Sequence, residues 1–243
     1  MTLASCDSRK TAGENPFFTE WDTPHGVPPF DKILPEHFMP AFERGMSLHE
    51  AEIDAITSNN DEPTFENTIL AYDNAGQMLA QTELVFGMLC AAETNDRMQA
   101  LQEQAMPLLA AHRDKIRLDD KLFVRVKEVY DRRAALGLDA EQMRLLQKTY
   151  DSFVRAGALL DAEQKARLKE INGQLSLTAV KFGNNILAEN NNFVLELKSD
   201  ELDGLPAGIR DAAREKAQQM GKGDKWVFTL HKPSLIPLLT YST

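Results

Sequence analysis

Cysteine is nearly absent from this chain, aromatic residues are sparse, and long apolar runs are missing. Two cysteines, Cys6 and Cys90, provide neither a disulfide framework nor the clustered thiolates of a metal centre. No segment approaches the roughly 18–20 consecutive apolar residues that a helix needs to cross a bilayer, so no transmembrane segment is expected. An excess of basic charge is also lacking: 37 acidic against 27 basic side chains give a formal net charge of −10. A surface of that sign repels phosphate backbones, and nucleic acid is not an expected partner. Aromatics at 7% and the scarcity of β-branched runs argue against a sheet protein. Ala, Leu, Glu, Gln and Lys fill the middle of the chain and favour helix. With 43% hydrophobic residues among 243, the chain can bury one large core or two modest ones. The expected fold class is mainly α: a multi-helix, bundle-like region with a small two-stranded β element near the C-terminus.

Prolines 16, 24, 28, 29 and 35 deny helix to residues 15–34, yet Phe17, Phe18, Trp21, Phe30 and Ile33 should hold that stretch against a surface. A first helix is expected from Pro35, carrying Phe38, Phe42, Met46 and Ile53, and Asp61-Glu62-Pro63 breaks the chain after it. A second is expected from about Thr64 to Cys90, with Phe65, Ile69, Tyr72, Leu79 and Phe86 on one face and Cys90 as a small buried hydrophobe. A third, from about Arg97 to Ile116, contains Pro107, where a kink or break is expected. Leu118-Asp119-Asp120 opens a fourth, which stops near Gly137.

The pentapeptide Leu-Asp-Ala-Glu-Gln occurs at residues 138–142 and again at 160–164. In each copy the Asp can cap a helix while the Gln three residues later reaches back. The first copy introduces Met143, Leu146, Tyr150, Phe153 and Leu160, with Gly157 on the same stripe as a gap for close approach. The second introduces Leu168, Ile171, Leu175, Phe182 and Ile186 on one face, and the two helices should pack antiparallel as core. After the stop at Asn190-Asn191-Asn192, residues 193–197 and 226–230 read as short strands flanking a helix from about Pro206 to Met220. The apolar run from Pro233 to Thr243 looks like a domain cut in mid-course.

Chemistry is hard to find. His49-Glu50-Ala51-Glu52-Ile53 is a near miss for the H-E-x-x-H zinc motif, whose histidines at i and i+4 share one helix face and one metal. Ile53 occupies the second ligand position, so that site cannot form; Ile53 is expected in the core and His49 at the surface or satisfied. His112-Arg113-Asp114 reads as a solvated polar face. No nucleophile elbow, dinucleotide fingerprint or phosphate loop is present. No catalytic, cofactor-binding or metal-binding residue is therefore assigned in this chain.

Leu3-Ala4-Ser5-Cys6 resembles the bacterial lipobox, in which small residues precede a cysteine that becomes lipidated. Residues 1–14 are accordingly read as a truncated lipoprotein signal and polar tether, with Cys6 as the lipid attachment residue. The parent protein would then be exported, periplasmic or membrane-anchored, while this version would be soluble.

Several words are more specific than composition. Asn15-Pro16-Phe17, Pro28-Pro29-Phe30-Asp31-Lys32-Ile33, Pro35-Glu36-His37-Phe38 and Pro63-Thr64-Phe65-Glu66-Asn67-Thr68-Ile69 follow one another in that order. Phe153-Val154-Arg155-Ala156-Gly157-Ala158 and Leu202-Asp203-Gly204-Leu205-Pro206 come after them. Together they resemble the N-terminal region of thimet-type zinc oligopeptidases, nearest to bacterial peptidyl-dipeptidases and oligopeptidase A. The resemblance implies that residues 15–243 form the helical N-terminal region of a peptidase, walling one side of a channel for short peptides. It also implies zinc and an H-E-x-x-H helix in a second half that this sequence does not reach. The alternative is a stand-alone helical peptide-binding or interaction lipoprotein without activity.

Overall fold

The computed structural model describes residues 15–92 and 94–242; Cys6 and the tether assigned to residues 1–14 lie outside them. Nearly all of the regular structure is helix. The helices are α1 (Phe38–Thr57), α2 (Ala71–Asp73), α3 (Gln77–Ala92), α4 (Asp96–Arg117) and α5 (Asp120–Asp131). They continue with α6 (Ala140–Arg155), α7 (Ala162–Asn192), α8 (Ala207–Gln219) and α9 (Lys232–Tyr241). Two compact units divide the chain, the first ending at Val180 and the second beginning at Lys181.

The first unit holds two apolar cores. Phe17, Ile33, Phe38, Phe42, Leu79, Val85, Phe86 and Leu109 form one, in which the Phe38 and Phe86 rings meet edge-on at 4.9 Å. Asn15 ties the proline-rich entry down by donating from Nδ2 to the His37 carbonyl at 2.8 Å, and Trp21 braces it internally by donating from Nε1 to the Pro16 carbonyl at 2.8 Å. Of the aromatics expected to fasten this segment, Phe30 alone stays exposed. The second core joins Ile53, Ile56, Phe65, Ile69, Ile116, Leu122, Val126, Leu146 and Phe153. Helices α1 and α4 each contribute to both cores, which ties the two together.

One long second helix was expected, and two elements stand in its place. Thr64 caps a π-helical turn, Phe65–Leu70, that runs into α2; Thr64 Oγ1 accepts from the Asn67 amide and Asn67 Oδ1 accepts from the Thr64 amide. Gly76 then breaks the course with φ +74°, a conformation only glycine adopts freely, and α3 starts at Gln77. The apolar stripe read as one face is consequently shared out. Phe65, Ile69 and Tyr72 join one core, while Leu79 and Phe86 join the other.

The break expected at Pro107 is absent, because α4 runs unbroken through it from an Asn95 cap. Both pentapeptide repeats form the reciprocal caps their sequence implies. Asp139 accepts from the Gln142 amide and Asp161 from the Gln164 amide, each at 2.8 Å, and each Gln side chain accepts in return. Gly157 is not inside the helix as expected: at φ +98° it ends α6, and the Ala158 amide donates back to the Phe153 carbonyl at 3.0 Å.

The second copy's stripe is the largest departure. Ile171, Leu175, Phe182 and Ile186, expected as core, are exposed on α7; Leu175 is 61% and Phe182 66% accessible. Only Lys165 and Val180 are buried along that helix.

In the second unit β1 (Leu195–Leu197) and β2 (Trp226–Phe228) pair antiparallel, Leu195 opposite Phe228 and Leu197 opposite Trp226. Leu202, Leu205, Ala213, Phe228 and Leu238 close a small core beneath them. Among the described residues no helix is long and apolar enough to cross a membrane.

Candidate functional site

The near-miss motif lies on α1 facing α4. Ile53 is 3% exposed and belongs to the core, as its apolar side chain requires. His49 is half-buried, and its Nδ1 lies 3.0 Å from Nε2 of His112. His112 is only 5% exposed, which corrects its reading as part of a solvated face; Arg113 beside it does face solvent. On its other side, His112 Nδ1 sits 3.5 Å from a Glu50 oxygen, and Glu50 is bridged to Lys115 at 2.8 Å.

Burial pushes both imidazoles below their ordinary pKa. For His49 the neighbouring His112 adds to that effect while Glu52 and Glu50 oppose it; for His112 Glu50 opposes and Lys115 and Arg113 add. The Lys115 ammonium, hydrogen-bonded to Glu50, lowers that carboxyl. Next to this cluster Glu52 Oε2 accepts from the Gly76 amide at 2.7 Å, fixing the turn between α2 and α3. These residues do not fit a zinc ion. The two histidine nitrogens face each other in a hydrogen bond instead of converging on a third point, and Ile53 supplies no ligand. Among the described residues no group of three His, Cys, Asp or Glu side chains is arranged to hold a metal.

Sequence reasoning missed this pair, although helical spacing carries a signal for each member. His49 falls in register with Phe42, Ile53 and Ile56 on α1, and His112 with Ala105, Leu109 and Ile116 on α4, all buried. That register places both rings inward; their 3.0 Å contact depends on how α1 packs on α4.

A second feature is a cleft of about 470 Å3 between α4 and α7, lined by Met106, Arg113, Asp114, Asn172, Leu175 and Val180. Asn172 crosses between the helices to donate to Asp114 at 2.8 Å. A further cleft, of about 500 Å3, adjoins it through the shared Arg117 and is walled by one face of α6. Its side chains can bind and orient a ligand by charge and apolar contact; they include no nucleophile paired with a base. Cys90, expected as a small buried hydrophobe, is half-buried beside the first core, where burial raises its thiol pKa and keeps it protonated.

No family model matches the chain. Individual proteins do. Dipeptidyl carboxypeptidase of Escherichia coli (strain K12) is 38% identical over 226 residues, 93% of this chain and 33% of that protein. The dipeptidyl carboxypeptidase of Salmonella typhimurium is 35% identical over the same shares. Oligopeptidase A of Escherichia coli is 24% identical over 220 residues, 90% of this chain and 32% of that protein. The chain spans about a third of the length of the relatives it matches. Over that third it is similar to the N-terminal region of thimet-type oligopeptidases.

Proposed function

We propose that this chain is the N-terminal, channel-forming part of an exported zinc metallopeptidase that releases C-terminal dipeptides from short peptides. The observation that carries the reading is the 38% identity, along 93% of the chain, to a protein named for dipeptidyl carboxypeptidase activity. In this reading the zinc, its ligands and the general base belong to the catalytic part of the whole protein, where metal would polarise the scissile carbonyl and activate water. The present residues shape access for the substrate. The exposed apolar face of α7 supports the same view, because a monomer rarely leaves side chains such as Leu175 and Phe182 uncovered together. Cys6 carries the lipid anchor in this proposal, and the parent protein is held at a membrane outside the cytoplasm. Mass spectrometry of the protein from bacterial membranes tests the anchor: a diacylated Cys6, with release to the soluble fraction in C6A, is expected, and an unmodified Cys6 overturns it.

A stand-alone peptide-binding lipoprotein is the second reading, favoured by the two closed cores of the first unit. Calorimetric titration of short peptides into the chain separates the two. Micromolar binding by the isolated chain supports the second reading, while its absence, with dipeptide release by the whole gene product, supports the first.

A further inference from the structure

In a chain of net charge −10, the cleft along α6 gathers cations. Arg144, Lys148 and Arg155 stand on one face of α6, and Arg117 reaches the same cleft from the last turn of α4. All four are exposed, and among the described residues none has a carboxylate within ion-pairing distance. The remaining charge in the cleft is Asp151, whose Oδ1 already accepts from Gln147 at 2.9 Å. Ser152 donates its hydroxyl to the Thr149 carbonyl at 2.8 Å, so the remaining donors lining the cleft are the four cations, of which Arg117 also lies beside the Tyr72 hydroxyl.

Helix electrostatics account for part of this arrangement only. Arg117 and Arg155 close α4 and α6, where positive charge complements the helix dipole. Arg144 lies in the first half of α6 and Lys148 at its middle, where the dipole offers no such reason. Spaced four residues apart, they repel each other by about as much as an opposite pair would attract. Several other surface cations of the same unit are paired: Lys127 with Asp131, Arg167 with Glu170, and Arg132 with Glu62. In the α6 cleft four cations without such partners line one pocket together.

We infer that this cleft is a binding site for small multivalent phosphate oxyanions, with Arg117, Arg144, Lys148 and Arg155 as its ligands. Three guanidinium forks match phosphate oxygens two at a time, and Lys148 adds a point charge. Exposure dictates the valence: a single carboxylate gains little from solvated cations, whereas an anion touching all four gains from each. The cleft, at about 500 Å3, is larger than a diphosphate.

The test is calorimetric titration of inorganic pyrophosphate into the chain at low salt, repeated with sodium sulfate and sodium chloride at matched ionic strength. Saturable binding is expected for pyrophosphate, weaker for sulfate and absent for chloride, and it should weaken by about tenfold or more in R144Q/K148Q. R167Q, which removes a cation already paired with Glu170, should bind as the parent does. Thermal denaturation checks that the variants fold, and the single variant K148Q, exposed at mid-helix, serves if the double variant does not. Absence of pyrophosphate binding overturns the inference. So does equal binding by R144Q/K148Q, or a response to chloride equal to that for pyrophosphate.

Discussion

His112 Nε2 and His49 Nδ1 share a hydrogen bond of 3.0 Å across the α1–α4 contact. One proton serves that bond, so the pair is satisfied when at most one ring is charged. Burial holds both imidazoles below the ordinary histidine value of about 6.5 in the folded state. As pH falls through that value the unfolded chain takes up protons that the native pair refuses, so native stability is lost from there downward. The charged groups facing the pair are Glu50 and Glu52 from α1 and Lys115 and Arg113 from α4. The melting temperature is expected to fall between about pH 7 and pH 5.5, each kcal/mol lost appearing as about 2–4 °C. In H112Q the fall should be smaller. An equal fall in both proteins would show that this pair is not its source.

Gly76 is required twice over, once by its φ of +74° and once by the His49 ring, whose Nδ1 would lie 2.8 Å from an added Cβ. G76A is expected to destabilise the chain by about 2 kcal/mol or more, measured by urea denaturation. Gly87, in the middle of α3, has nothing within 4 Å of an added Cβ. There G87A should stabilise by about 0.5–1 kcal/mol through helix propensity. Effects of the same sign at both positions would refute the local geometry.

Arg125 is 8% exposed and has no carboxylate partner among the described residues. Its guanidinium donates to the Asn59 carbonyl at 2.8 Å, the Asp61 carbonyl at 3.2 Å and Asn67 Oδ1 at 3.2 Å, clasping the loop between α1 and the π-helical turn. A lysine keeps the charge and loses the fork, so R125K should cost about 2 kcal/mol in chemical denaturation. Unchanged stability in R125K would show that the clasp contributes nothing.

The uncovered face of α7 should register in solution. An apolar-surface dye is expected to bind the native chain, and L175E/F182E should reduce that signal severalfold. Both side chains are more than half exposed, so stability should change by no more than about 0.5 kcal/mol. A dye signal unaffected by the two substitutions would place the apolar surface elsewhere.

Local chemistry was the most legible part of the fold. The two Asp-x-x-Gln caps, the proline-bound entry and the strand pair at residues 195–197 and 226–228 follow from side-chain chemistry within a few residues. The division at Gly76 was hidden because apolar spacing continues across it, although the residues on either side serve different cores. Periodicity marked the face of α7 as apolar and could not say whether anything covers it. The same limit applies to His49 and His112, whose inward register is local while their contact is tertiary.

The most direct measurement follows C-terminal dipeptide release from a short N-blocked peptide by mass spectrometry, with zinc supplied and then chelated. The native gene product is expected to release dipeptides in the presence of zinc and to lose that activity with the chelator. The purified 243-residue chain should release none under either condition. Zinc-dependent release by the chain alone, or none by the gene product, would contradict the assignment.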